Sequence, residues 1–268
     1  MAKYKKKRAR ELQHDRFRDT TMSFFDRLGD LMEGRGRMIL YGLGGLILAS
    51  LIVLLFVKWS NRKSDEARQA LGRAITIQKA PVMATPLPGT NELSFPTEKE
   101  RAQNAIEEFE KVAAKYGDPY RSESQYFIAV NRLALDRQKG IGELAALGNS
   151  NVSEVGPLSK FALAQAYESD GKLQEAAQLY SDLAKQNSLT ISSETANLGL
   201  AKVYVKLGKK KEAADVLFNI VDASRKAKGE DNRPLPQTEA AREAAEELKK
   251  IDPERFAQLP PEGSFLAG

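Results

Sequence analysis

Carboxylates side by side are the first residues in this chain whose type and spacing could do chemistry, because a pair held at the right separation can divide acid and base roles. Glu107–Glu108 and Glu246–Glu247 are such neighbours. On a helix, however, adjacent side chains diverge by about 100° and do not face a common substrate. They read as solvated faces. Nucleophilic and metal chemistry is narrower still. The 268 residues contain no Cys and a single His, His14, so thiolate and Ser-His-Asp sites and imidazole-ligated metals lose their ligand types. No Gly-rich phosphate loop, dinucleotide fingerprint, HExxH, GxSxG or calcium-loop spacing occurs. The run Lys209–Lys211 opens a helix and reads as wet surface. Neither catalysis, a cofactor, a metal nor a small-molecule substrate is expected, which leaves binding by surface.

Charge is unevenly placed. Residues 1–37 carry 11 Lys+Arg against 6 Asp+Glu, and the rest of the chain holds 30 of each. A folded body that grips nucleic acid needs a basic face of its own; this excess sits in one short tail, as suits a membrane surface or a topology signal. Just after it, Met38–Val57 (MILYGLGGLILASLIVLLFV) is 20 residues without a charge. As a helix it would be about 30 Å long, the thickness of a bilayer core. Arg35 and Arg37 bound it on one side, Lys58, Trp59, Arg62 and Lys63 on the other. It reads as an uncleaved single-pass anchor. Lys and Arg beside the span nearly tie, four before and five after. The farther tail (Lys3, Lys5, Lys6, Lys7, Arg8, Arg10, Arg16) favours an N-terminus in the cytoplasm and an exported C-terminal domain. Phe24, Phe25, Leu28, Leu31 and Met32 form one stripe of an amphipathic helix suited to the inner leaflet or to a partner's cytoplasmic face.

The elements beyond the span repeat. Residues 163–177 (LAQAYESDGKLQEAA) and 200–214 (LAKVYVKLGKKKEAA) share eight identities, all offset by 37 positions. Leu163, Ala164 and Tyr167 make one face of a first helix, Gly171 permits a left-handed stop, and Ala176, Tyr180 and Leu183 make the facing stripe of a second. One hairpin cannot cover its own apolar face, so such units must stack. The fold class expected is all-α: one transmembrane helix, then a stack of helical hairpins. Domain bounds follow as tail 1–37, span 38–57, repeat domain 58–250 and a disordered tail 251–268. Within the repeat domain, residues 64–79 read as a helix carrying Leu71 and Gly72, and Pro81–Pro96 as a break. Thr97 with Glu100 forms a capping box opening the next helix. Residues 119–138 read as a helix, 143–147 as a short turn, 148–156 and 228–236 as loops, and Gln237–Lys250 as a polar Ala-rich cap.

Leu163, Ala164, Tyr167, Gly171, Ala176 and Tyr180 resemble the tetratricopeptide repeat pattern, as do Leu200, Ala201, Tyr204, Gly208 and Ala213 with Leu217 in the last aromatic place. The match is divergent, with Lys160 and Asn197 where the family often has Trp. The resemblance implies a protein-binding concave face on the first helix of each repeat. By register it would show Leu158, Phe161, Gln165, Glu168, Leu198, Lys202, Val205 and Lys206. Phe161 and Leu198 read equally well as packing between hairpins, so Gln165, Lys202 and Lys206 are the stronger contacts. The layout of basic tail, span and degenerate repeats is similar to the bacterial inner-membrane, YfgM-like ancillary subunits of the SecYEG translocon. That resemblance implies protein partners (translocon subunits or periplasmic chaperones) and a periplasmic repeat domain. Two other roles stay open: a scaffold for outer-membrane assembly or cell division, and a regulatory subunit recognised through its cytoplasmic tail.

Overall fold

A computed structural model describes residues 36–83, 93–152, 154–186, 188–230 and 232–262, with backbone alone at 36–44, 47, 56, 57 and 59–61. Residues 1–35 of the basic tail, with the amphipathic stripe 24–32, lie outside the described residues. The chain divides into two compact units after Asp65, eight residues later than the sequence boundary.

The first unit is described through the opening of helix α1 (Gly36–Gln78), which runs through the whole apolar stretch. Seven of its large apolar side chains, Leu46, Leu48, Leu51, Ile52, Val53, Leu54 and Leu55, are each more than half exposed. Among the described residues no helix is long and apolar enough to cross a membrane; several side chains of 38–57 are not among them.

The second unit is built wholly of helices among its described residues, with two isolated β-bridges and no strand. After the end of α1 come α2 (Glu98–Lys115), α3 (Tyr120–Leu135), α4 (Arg137–Leu147), α5 (Val155–Ser169), α6 (Leu173–Ala184), α7 (Ser193–Lys206), α8 (Lys210–Lys226), α9 (Glu239–Ile251) and the single turn α10 (Pro253–Phe256). From α2 to α10 each helix packs on the next, and α5 bridges back to α3 as α9 does to α7. This is a stack of helical hairpins.

Its core is a run of small clusters along the stack, as expected when no hairpin owns a complete core. Leu71 and Ala74 of α1 meet Ala105, Phe109 and Val112 of α2; the Phe109 ring stacks on Phe127 at 4.8 Å. Ala164, Ala176, Tyr180, Leu200 and Val203 join α5, α6 and α7. Leu198, Ala201, Ala214, Leu217, Val221, Ala244 and Leu248 join α7, α8 and α9. Small residues at the crossings bring backbones close.

The 37-residue repeat reappears as one hydrogen-bonding motif built twice. Gly171 (φ +74°) and Gly208 (φ +75°) take the left-handed conformation that a Cβ disfavours. Lys172 N–H donates to Tyr167 C=O and Gly171 N–H to Glu168 C=O; Lys209 donates to Tyr204 and Gly208 to Val205 in the same way. Both are Schellman stops. Each Lys then lies over the ring of its own Tyr, at 5.3 Å and 5.6 Å. The Tyr, Gly and Lys of the repeat are thus one structural unit, which is why they recur together.

Departures from expectation have local causes. The helix read over 119–138 ends at Leu135, because the Asp136 side chain accepts from Lys139 N–H (3.1 Å) and caps a new helix. That helix, α4, has 11 residues where the sequence suggests a short turn. Gly140 hides it by lowering helix propensity, yet α4 needs Gly140, whose Cβ would stand 2.8 Å from the Leu133 backbone nitrogen. The loop read over 148–156 ends early, with α5 starting at Val155. Residues 251–262, expected to be disordered, are packed against the last helices. Asp252 caps α10, Leu259 is buried against α8 and α9, and Arg225 donates to Pro260 C=O and pairs with Glu262. The ends of the Pro-rich segment pair with each other through Met83 N–H to Phe95 C=O and Phe95 N–H to Pro81 C=O; residues 84–92 lie outside the described ones.

Candidate functional site

Helices α5, α7 and α9 run along one side of the stack and enclose a groove of about 280 Å³ lined by Glu168, Ala201, Lys202, Val205, Lys206, Leu217 and Glu247. Four of the eight register positions, Glu168, Lys202, Val205 and Lys206, meet there. They converge because i, i+3 and i+4 positions share a helix face: Lys202, Val205 and Lys206 form that face on α7, and Glu168 ends the matching face of α5.

The charges in the groove hold one another. Lys206 Nζ lies 2.7 Å from Glu168 Oε1, linking α7 to α5, and Lys202 Nζ lies 2.7 Å from Glu243 Oε1, linking α7 to α9. The second Glu168 oxygen accepts a hydrogen bond from the Tyr180 hydroxyl at 3.2 Å. The Tyr180 phenol is pushed far up from its ordinary range, first by burial, then by the negative charge of Glu168 and the hydrogen bond to it. It stays a neutral donor and fixes the Glu168 carboxylate from below. Glu247 is held by Lys250 at 2.8 Å. Ala201, Val205 and Leu217 supply an apolar floor between these pairs.

The other register positions sit elsewhere. Leu198 is 6 % exposed and belongs to the core joining α7, α8 and α9. Phe161 packs between two core clusters, its ring edge-on to Tyr180 at 5.7 Å and 70°. Leu158 is half-buried against Leu183, Ile191 and Ala196. Gln165 is exposed on α5, one turn before Glu168. Sequence reasoning missed Leu217 and Glu247 as lining residues, and Tyr180 and Glu243 as the partners that hold Glu168 and Lys202. The long 227–238 connection shifts α9 out of the 37-residue register, so the repeat could not be carried onto it; the i, i+4 spacing of Glu243 and Glu247 was the remaining signal. Among the described residues no three metal-capable side chains cluster.

No family model matches the chain, and no curated protein does. Among solved structures, the nearly identical TPR-like repeats of a Podosopora anserina protein assigned as a kinesin light chain are similar, at 21 % identity and a TM-score of 0.48. The likeness covers 69 % of this chain and 85 % of that one. A singly substituted form of the same repeats gives the same identity and score, with 84 % of its length covered.

Proposed function

We propose that this protein is a membrane-tethered protein-interaction adaptor that offers the α5–α7–α9 groove to protein partners during protein translocation or envelope protein folding. The observation that carries the reading is the groove itself. A register expected to face partners delivers four side chains from two repeats into one cleft, together with an apolar floor. Repeat stacks bind by such extended faces and not by catalytic clusters.

Tethering rests on the stretch 38–57. Seven large apolar side chains more than half exposed on one helix make a surface that water does not favour and a bilayer does. With the basic tail on the cytoplasmic side, the repeat unit lies in the periplasm of a bacterial inner membrane, crossed once. Translocon subunits and periplasmic chaperones are the partners this layout suggests, by its resemblance to the ancillary translocon subunits.

Co-purification of the full-length protein in a gentle detergent tests the proposal. Recovery of translocon subunits or an exported chaperone is the expected result. Recovery of outer-membrane assembly or division proteins alone would keep the adaptor and overturn the export role.

A further inference from the structure

Against α8 and α9 the molecule lays not a full helix but the tail segment 252–262, whose one helical part is the single turn α10. Leu259 enters the core that joins α7, α8 and α9, and Phe256 packs at its edge. The chain thus shows what that face accepts. We infer that the face of α8 and α9 covered by this segment is a second protein-docking surface, separate from the groove, which the tail holds shut. It opens to a partner segment of the same pattern: an aromatic residue, Leu three places on, Pro next, and a carboxylate two places beyond.

The tail is built to come away. The backbone N–H groups of residues 255–259 all donate within the segment itself. Arg255 donates to the Asp252 carboxylate, Phe256 and Ala257 to the carbonyls of Asp252 and Pro253, and Gln258 and Leu259 to those of Arg255 and Phe256. These amides do not tie the segment to α8 or α9; side chains do. Leu259 is the one buried side chain between 252 and 262, and Phe256 is half-buried. Arg255 pairs with Asp215 and lies over the Phe218 ring at 5.2 Å. The entropy of ordering the segment runs close to what one buried Leu and a few partly exposed contacts return. It therefore opens before the helices do.

Arg225 of α8 specifies the carboxylate. Its side chain is more than nine-tenths buried. One terminal nitrogen donates to Pro260 C=O and the other to Glu262 Oε1 at 3.2 Å, while the buried Nε has no hydrogen-bond partner. A guanidinium can give a carboxylate two parallel donors, and the tail's carboxylate takes one. A buried donor left unpaired is costly. A partner segment, not tethered to the end of α9, can seat its carboxylate on Nε and the neighbouring terminal nitrogen together. It fills the donor that the tail leaves open, and so competes with it.

The test uses full-length protein in lipid nanodiscs and a fluorescent peptide of Ser and Asn carrying Phe, Leu, Pro and Glu in the stated pattern, followed by anisotropy. Leu259→Asp, which expels the tail from the core, should bind this probe at least about tenfold more tightly than the parent, whose site is mostly occupied. Phe256→Ala weakens the same closure and should bind it more tightly too; whichever variant melts as the parent does supplies the open state. There the probe should lose about tenfold when its Leu becomes Ala and about fivefold or more when its Glu becomes Gln. Adding Arg225→Gln should erase the second loss. In the parent, excess probe should quicken hydrogen exchange at the amides of residues 256–259. No gain in binding by a folded open variant would overturn the inference. So would binding indifferent to the probe's Leu, a Glu-to-Gln loss that survives Arg225→Gln, or exchange at 256–259 that bound probe leaves unchanged.

Discussion

At the residue scale, two glycines in neighbouring hairpins do opposite jobs. Gly171 has open space around its missing Cβ and a φ of +74°, so Gly171→Ala meets only backbone strain, about 1 kcal/mol. Gly199 has ordinary backbone, but its Cβ would stand 2.6 Å from the ring of Tyr180, which is 2 % exposed and held by Glu168. Gly199→Ala should cost more, about 1–3 kcal/mol, by pushing α7 off α6; thermal melting of the two variants orders them. Glu154 gives a pH-dependent case. Its carboxylate accepts from the hydroxyls of Ser188 and Thr190, and Ser188 Oγ in turn accepts from the Thr190 and Ile191 amides. The hydrogen bond from Ser188 chiefly holds the Glu154 carboxyl below its ordinary value. A depressed carboxylate stabilises fully above its unfolded value and loses that contribution as pH falls through the folded one. Hydrogen exchange at Thr190 and Ile191, corrected for intrinsic rate, should therefore quicken in acid, and Glu154→Gln should be fast and flat across the same range.

At the element scale, the last hairpin is closed by a strap. Residues 252–262 lie under Arg225, whose guanidinium donates to Pro260 C=O, pairs with Glu262 and covers the Phe256 ring at 5.6 Å. Arg225→Ala should free the strap, so that trypsin cuts after Arg255 several times faster while helicity by circular dichroism hardly changes. None of this was legible in the sequence, because the Pro- and Gly-rich composition of the tail hides a contact made by one Arg 35 residues earlier. The repeated hairpins were legible down to the left-handed stops, since Tyr167, Gly171 and Lys172 and their partners at 204, 208 and 209 act locally. Thr97 was likewise readable as a cap, its hydroxyl accepting from Glu100 N–H at 3.2 Å. Helix α4 was not, because Gly140 is there for contact with α3 and propensity counts it as a breaker. The groove was half legible: α5 and α7 follow the repeat, whereas Glu243 and Glu247 of α9 stand beyond a connection whose length breaks the period.

At the scale of the whole molecule, one short apolar stretch and one groove carry the proposed function. If 38–57 is the anchor, charges within it must be expensive. Leu51→Arg with Leu54→Arg should cost insertion about 5–7 kcal/mol together and move the protein from the membrane pellet to the alkaline wash, without altering the melting of the repeat unit. The groove makes the more central claim, and it is tested most directly by photocrosslinking amino acids placed in living cells at Gln165, exposed on α5 one turn before the groove residue Glu168, and at Leu189, which is 94 % exposed on the α6–α7 connection. The account predicts a discrete protein adduct from position 165, to a translocon subunit or an exported chaperone, and none from position 189. Adducts from 189 alone, or equal labelling from both, would contradict it.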